Sequence, residues 1–567
     1  MKRRLLLTTI ALTIATVAIM AVPAKPGLKK KVTLSDGSVV ELTLRGDEHY
    51  AFYTDASGEP CQLKRGKLLK MTHEEVNRQW AAQREKRLAH SETASRRANR
   101  RVGDKQGATT GNHRGLVILM QFPDMPFTTE NAQHTFQRFF NEEGYNERGM
   151  AGSVRDYFKK QSYGQLTIDF DVAGPFTTQH EMEYYGGHYT DSYGTEQTDR
   201  HPALMVAEAV DYAHAAGIDF SKYDWDGDGV VDQVFVIYAG YAEAQGADPS
   251  TIWPHEWALA AERAMRYYDN VTINTYGCAA ELWGANSEAN PDGIDGIGTA
   301  CHEFSHCLGL PDTYDTQGDN YGMGYWDIMC AGNYNDNSRT PAGYTSYERW
   351  FSGWLEPKEL STTTHVTDMK PLIDEPEAYV LYNDSNKNEY YLLENRQPIS
   401  YDRGLYGHGL LVLHVDYDRG AWNANSVNSI AGHERMTIIA ADNEYGSYYA
   451  SSIAGDPFPG RTGNTALTNH TTPAAMLYHA NTDGQKLMSK PIEDITENTL
   501  KRTISFVACR PEAGTPDPDT PETSVTTQLA DETTPVRYYD LQGREVSNTT
   551  RGVLIRRQGN NIKKVLR

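Results

Sequence analysis

The chain has 567 residues, of which 39% are hydrophobic and 23% charged, enough to bury sizeable cores and unlike a collagenous or wholly disordered composition. Its formal net charge of −21 argues against nucleic acid or an anionic membrane surface as a partner. The excess is uneven, because residues 25–106 hold 18 Lys/Arg against 11 Asp/Glu, so a basic front segment precedes a strongly acidic body.

Lys2, Arg3 and Arg4 precede an apolar run over residues 5–22, and Val22-Pro23-Ala24 offers small residues for cleavage. This pattern predicts an export signal over 1–24, ending near Ala24. No later segment approaches about 18 continuous apolar residues, so the mature chain is expected to be exported and soluble, secreted or at the cell surface. Residues 32–54 alternate apolar and polar positions around Asp-Gly turns, a β-hairpin pattern. Residues 74–101 form a basic, helix-forming stretch that shades into a linker, which makes 25–111 a small β/α segment. GLVILMQF at 115–122 and VDQVFVIYAG at 231–240 have the continuous apolar character of strands buried on both faces. Helices are expected at 153–161, 202–215 and 296–310, giving a mixed α/β domain over 112–357. Short strand patterns broken by Gly, Asn and Asp then predict an all-β, sandwich-like module over 358–510. Residues 511–534 are Pro-, Thr- and acid-rich, a solvated linker, and 535–567 return to short strands.

Six cysteines are too few for a disulfide scaffold, even in an exported protein. Cys301 and Cys307 sit six residues apart on one expected helix, about 9 Å of rise, so they cannot pair with each other. Pairing with Cys278 or Cys330 and four unbridged core thiols remain equally open. Cys61 is open in the same way: a buried small residue, a partner for Cys509, or a thiolate held against a metal in a latent form.

The sharpest signal is TACHEFSHCLGLPD at 299–312. On a helix His302 and His306 are one turn apart, so two imidazoles can bind one zinc ion, and Glu303 beside them can take a proton from water at that ion. Gly309 can end the helix in the left-handed conformation, Pro311 prevents its continuation, and the returning chain can deliver Asp312 as a third ligand. A bare HExxH would arise by chance in about 3% of chains of this composition, and adding Gly309 and Asp312 reduces that to about 2 in 10,000. Met329 follows Asp312 within YWDIMC at 325–330, suited to a methionine turn beneath a metal. A second constellation, DWDGDGVVD at 224–232, sets Asp224, Asp226, Asp228 and Asp232 at calcium-loop positions, with Gly229 at the turn. Phe235 stands where an EF-hand has its bidentate Glu, so the expectation is a calcium loop bracing a strand.

With these residues the chain resembles secreted metallopeptidases of the immune inhibitor A family, whose pattern is HExxHxxGxxD followed by a Trp-Asp-x-Met turn. GSVRDYF at 152–158, ENRQ at 394–397 and GDPFPG at 455–460 belong to the same resemblance, which covers about 112–510. It implies a multidomain protein with a metzincin-like zincin domain, zinc on His302, His306 and Asp312, and Glu303 as the base. The expected function is secreted zinc-dependent endoproteolysis of protein or peptide substrates. The alternative is a surface binding or adhesion protein on a degenerate peptidase scaffold, which the intact ligands and base disfavour. A tyrosine can stabilise the oxyanion, and the sequence does not choose among Tyr321, Tyr325, Tyr334 and Tyr344. His255, His408, His414 and His433 lack ligand spacing and are read as packing or surface residues.

An exported peptidase endangers its own cell, so the basic segment 25–111 is expected to be a pro-segment, held to the acidic body by charge and cleaved within RRANRR at 96–101. Residues 535–567 resemble bacterial C-terminal secretion tails, which implies export machinery as a partner.

Overall fold

A computed structural model of the chain describes residues 20–48, 50–64, 67–88, 109–190, 196–286, 293–315, 320–445, 450–511, 537–540, 544–547, 553–558 and 561–566. Most of the expected leader, the expected cleavage stretch at 96–101 and nearly all of the 511–534 linker lie outside the described residues.

The N-terminal segment begins with a two-residue strand, β1 (Met20–Ala21). An antiparallel five-stranded sheet follows, made of β2 (Lys29–Thr33), β3 (Val39–Gly46), β4 (Ala51–Thr54), β5 (Pro60–Lys64) and β6 (Lys67–Lys70) in sequential order. Helix α1 (His73–Leu88) packs Val76 and Trp80 against Tyr50 and Phe52. The Trp80 indole N–H donates to Asp47 over 3.0 Å, so the buried ring keeps its polar atom satisfied.

A mixed α/β region follows. Its sheet has six strands, counting β1, β7 (Gly111–Gln121), β8 (Leu166–Thr177), β9 (Val234–Tyr241), β10 (His255–Ala258) and β11 (Thr275–Leu282), in the order β1-β10-β11-β9-β7-β8. β8, β7, β9 and β11 run parallel, whereas β10 pairs antiparallel with β11, and β1 antiparallel with β10. The strands expected from the apolar runs are present, with β7 starting earlier and β9 shifted toward its C-terminal side.

Side-chain alternation along these strands feeds two cores. Leu116, Ile118, Met120, Val234 and Val236 face α4 (Pro202–Ala215) and its Val206 and Val210. Val117, Leu119, Phe235 and Ile237 face α2 (Ala132–Asn141), α3 (Val154–Gln161) and α5 (Ile297–Cys307). Ser153 caps α3 in a reciprocal capping box with Asp156, which fixes where that helix starts. Phe304 of α5 packs tilted against Phe158 and edge-on against Phe170, with centroids 5.0 and 5.6 Å away, and so locks the helix onto α3 and β8.

The region after residue 357 is mostly strand. One sheet holds Lys358–Glu359, Tyr379–Tyr382, Glu389–Arg396, Gly409–Asp416 and Met436–Ile438, and another holds Thr364–Met369, Thr503–Ala508 and Ile492–Asn498. It differs from the all-β expectation by short helical turns at Ser400–Gly404, Arg419–Asn423 and Ala450–Ile453, the second capped by the Asp418 carboxylate. Nor does the core break at the expected boundary: Leu392, Leu413 and Trp422 share one apolar cluster with Trp326, Met329 and Tyr344. Residues up to Arg510 form one compact unit. The final unit contains a four-stranded antiparallel sheet of Arg537–Tyr539, Glu545–Val546, Val553–Gln558 and Asn561–Leu566. Among the described residues, no helix is long and apolar enough to cross a membrane.

Candidate metal centre and cleft

The helix expected at 296–310 ends at Cys307, because Gly309 adopts a φ of 95° that only glycine reaches without strain. Its amide donates to the His306 carbonyl over 2.8 Å, and the chain then turns back. Gly298, near the other end, lets the 331–334 turn approach, since a Cβ there would stand 2.0 Å from the Asn333 carbonyl oxygen. These two glycines let a buried helix carry polar side chains inward, with the segment after it folded beneath.

His302 and His306 are fully buried and point the same way, their Nε2 atoms 3.0 Å apart. His302 Nδ1 donates to the Ile328 carbonyl over 2.7 Å, and His306 Nδ1 donates to the Leu310 carbonyl over 2.8 Å. A carbonyl can only accept, so each ring carries its proton on Nδ1 and turns the Nε2 lone pair inward. Asp312 Oδ1 completes the cluster at 3.2 and 3.3 Å from the two Nε2 atoms and has no hydrogen-bond donor. Three lone-pair atoms therefore converge in a buried site with no proton among them, an arrangement that a cation relieves. Donors around a tetrahedral zinc ion at about 2.0–2.1 Å would stand about 3.3 Å apart, close to these separations, and the two-nitrogen, one-oxygen set suits zinc.

Electrostatics agree with that donor set. Burial pulls the His306 pKa down to about 4, so this ring is neutral at physiological pH despite Asp312. Burial works against the Asp312 charge, but the two imidazoles overcome it and hold the carboxyl below its ordinary range. Glu303, next to His302, is pushed up, first by burial and then by the Asp312 charge.

The Ile328 carbonyl that orients His302 belongs to the turn expected from Met329. Met329 is fully buried, and its amide donates to Asp327 Oδ1 over 2.8 Å, so the turn is fixed from both sides. Asp312 takes its support from a residue that the sequence did not reveal. Asn425 donates through Nδ2 to Asp312 Oδ2 over 2.6 Å and accepts the Asp312 amide at Oδ1 over 2.7 Å. It follows the Arg419–Asn423 turn with a φ of 48°, a left-handed conformation that asparagine tolerates. Its only sequence signal was an Asn-rich break between two strands.

The cleft beside the cluster is lined by β10 and by aromatic donors. His255 fills a structural role, its Nδ1 on the Trp253 carbonyl at 2.6 Å and its Nε2 on the Tyr276 hydroxyl at 2.9 Å. Of the four tyrosines that follow the motif, Tyr344 meets Ser305, Tyr325 packs on Tyr406, and the Tyr321 amide donates to Glu434. Tyr334 does reach the cleft, as does Tyr314, two residues beyond Asp312. His408, His414 and His433 pair with Glu497, Glu389 and Asp416, away from the cluster. All six cysteines are unbridged, and Cys61 lies in β5 opposite Tyr53 and Lys70.

The Asp-rich loop brings Asp224, Asp226 and Asp232 together, with one oxygen of each within 4.8 Å of the others. Asp224 also accepts the Gly227 and Gly229 amides, which wraps the loop around that carboxylate. Asp228 lies outside the triplet and accepts the Val230 amide.

Residues 104–356 match the catalytic domain of the Immune inhibitor A peptidase M6 family, which bears out the resemblance carried by the motif. Pre-pro-metalloprotease PrtV of Vibrio cholerae serotype O1 is 25% identical over 289 residues, 43% of this chain and 31% of that protein. Immune inhibitor A of Bacillus thuringiensis subsp. alesti is 24% identical over 289 residues, 44% of this chain and 41% of that protein. The chain thus spans less than half the length of either relative.

Asn425→Ala would leave the Asp312 carboxylate unsupported. We expect zinc affinity to fall about 10- to 100-fold, measured by competition against a chelating dye. Unchanged affinity would show that Asp312 needs no help from this part of the chain.

Proposed function

We propose that the chain, whose residues 104–356 match the catalytic domain of the immune inhibitor A peptidase M6 family, is a secreted zinc-dependent endopeptidase with a metzincin-like catalytic domain, made as a zymogen. His302, His306 and Asp312 would hold the zinc ion, which when bound polarises a peptide carbonyl and makes water more acidic. The observation that carries the reading is the convergence of two imidazole lone pairs and one carboxylate oxygen, each fixed by its own hydrogen bond. Glu303, next to His302, supplies the base: its Oε2 is buried without a hydrogen-bond partner, open to take a proton from water and return it to the leaving nitrogen. Met329 and its turn keep His302 oriented, and Gly309 brings Asp312 back to the helix.

The zymogen reading rests on how the N-terminal segment meets the cleft. The Thr198 hydroxyl donates to the Glu48 carbonyl over 2.6 Å, and the Lys25 amide donates to the Ala244 carbonyl over 2.9 Å. A segment docked at Ala244 and Thr198 stays against the body until it is removed, and the basic character of residues 25–106 adds long-range attraction to the acidic remainder. The name of the Vibrio cholerae relative, a pre-pro-metalloprotease, agrees with an exported precursor. The 224–232 loop is proposed to bind calcium, its clustered carboxylates suiting a hard cation with oxygen ligands. The sheet after residue 535 is proposed as an element recognised by export machinery.

Trypsin treatment of the purified precursor should cut within 96–101 and yield an enzyme that digests casein and stops when zinc is chelated. Glu303→Gln treated in the same way should bind about one zinc per chain and digest nothing. Activity in the uncut precursor would remove the zymogen, and activity in the Gln variant would remove Glu303 from the chemistry. A calcium-selective chelator should lower the melting temperature while zinc stays bound, and Asp226→Ala should mimic it; an unchanged melting curve would leave the loop as a solvated turn. Deleting 535–567 should preserve casein digestion but abolish delivery outside the producing cell, and normal delivery would refute the sorting role.

A further inference from the structure

Residues 20–24 occupy the cleft as an extended peptide. β1 pairs antiparallel with the edge strand β10, Met20 opposite Glu256 and Ala21 opposite His255. Beyond Ala21 the chain crosses in front of α5, and every peptide unit is held. The Tyr314 hydroxyl donates to the Ala21 carbonyl over 2.7 Å, the Trp253 indole N–H to the Val22 carbonyl over 2.9 Å, and the Tyr334 hydroxyl to the Pro23 carbonyl over 2.7 Å. The Val22 amide donates to Glu303 Oε1, and Ala21 and Val22 are fully buried.

The Ala21–Val22 bond differs from its neighbours. Its nitrogen lies on the carboxylate that handles protons, and its oxygen lies on a buried phenol. Hydrolysis of a peptide needs these two partners: a proton must reach the nitrogen that leaves, and negative charge must be stabilised on the oxygen.

We propose that Tyr314 donates to the oxygen of the bond being cut, and that substrates bind antiparallel to β10 in the register of residues 20–23, with Trp253 and Tyr334 clamping the backbone on the leaving-group side. This rests on the metallopeptidase reading above. In the reaction one water adds its oxygen to the carbonyl carbon while its proton passes to Glu303, and the carbonyl π pair moves onto the oxygen as an oxyanion facing the Tyr314 hydroxyl. When that pair returns, the C–N bond breaks and the proton on Glu303 goes to the nitrogen. The products are a carboxylic acid and an amine, and one water is consumed. Tyr314 keeps its proton throughout, so its contribution is a hydrogen bond that strengthens as charge develops.

The test uses the full chain after trypsin treatment, with wild type, Tyr314→Phe and Tyr334→Phe compared. Tyr314→Phe is expected to retain zinc and to lower kcat about 10²- to 10³-fold, with little change in KM. A phosphinic peptide carrying the tetrahedral group in place of an Ala-Val bond should bind this variant more weakly by a similar factor, while binding of an ordinary peptide, measured in the Glu303→Gln background, should not change. Tyr334→Phe is expected to raise KM with kcat nearly preserved. An unaltered kcat or unaltered phosphinate affinity in zinc-replete Tyr314→Phe overturns the assignment. Independently of any variant, wild-type enzyme given a synthetic copy of residues 17–28 should cut it between Ala21 and Val22, and a cut at another bond overturns the register. If wild type shows no chelator-sensitive hydrolysis at all, the metallopeptidase reading fails first and takes this proposal with it.

Discussion

Three electron pairs that repel one another are forced to share a buried space, and much of the molecule serves to hold them there. Two imidazole nitrogens and one carboxylate oxygen lie 3.0 to 3.3 Å apart. None relaxes by turning away, because each is tied at its far side: the histidines to the Ile328 and Leu310 carbonyls, and Asp312 to Asn425. Those ties come from three separate parts of the chain, so the cluster exists only when all of them are assembled. The site is an energetic liability in the absence of a cation, which is the usual condition of a preorganised metal centre.

The surrounding architecture follows from that demand. A helix carrying two histidines and a glutamate has no apolar stripe facing the cleft, so it is anchored elsewhere, through Phe304 against Phe158 and Phe170 and through the glycine contact with the 331–334 turn. The parallel part of the sheet lies behind it as a rigid floor. The antiparallel edge strand β10 is the part of this sheet that offers backbone hydrogen bonds to a further strand, and β1 takes them. Edge strands invite pairing, and here the edge of β10 is taken up by β1.

The N-terminal segment and the later, strand-rich region serve this centre in opposite ways. The later region completes the site by supplying Asn425, and its apolar core runs without interruption into that of the mixed α/β region. The N-terminal segment closes the site, placing an amide on Glu303 and engaging Trp253, Tyr314 and Tyr334. Residues 20–24, expected from the sequence to end a leader, lie in the structure along β10 and on Glu303. Where the leader is cut therefore decides whether this strand remains.

What the sequence determined by itself was local. The spacing of His302 and His306 by one helical turn, the helix stop at Gly309, the buried strand at 115–122 and the Asp-rich loop each depend on residues within about a dozen positions of one another, where backbone geometry leaves few alternatives. The tertiary structure decided everything that required distant segments to meet. Asn425 reaches Asp312 across 113 residues, and Val22 reaches Glu303 across 281. The choice of Tyr314 and Tyr334 from the protein's 35 tyrosines depended on which hydroxyls face the cleft. Such contacts have no periodicity and no fixed spacing along the chain. They are set by how helices and sheets pack, and only the folded chain specifies them.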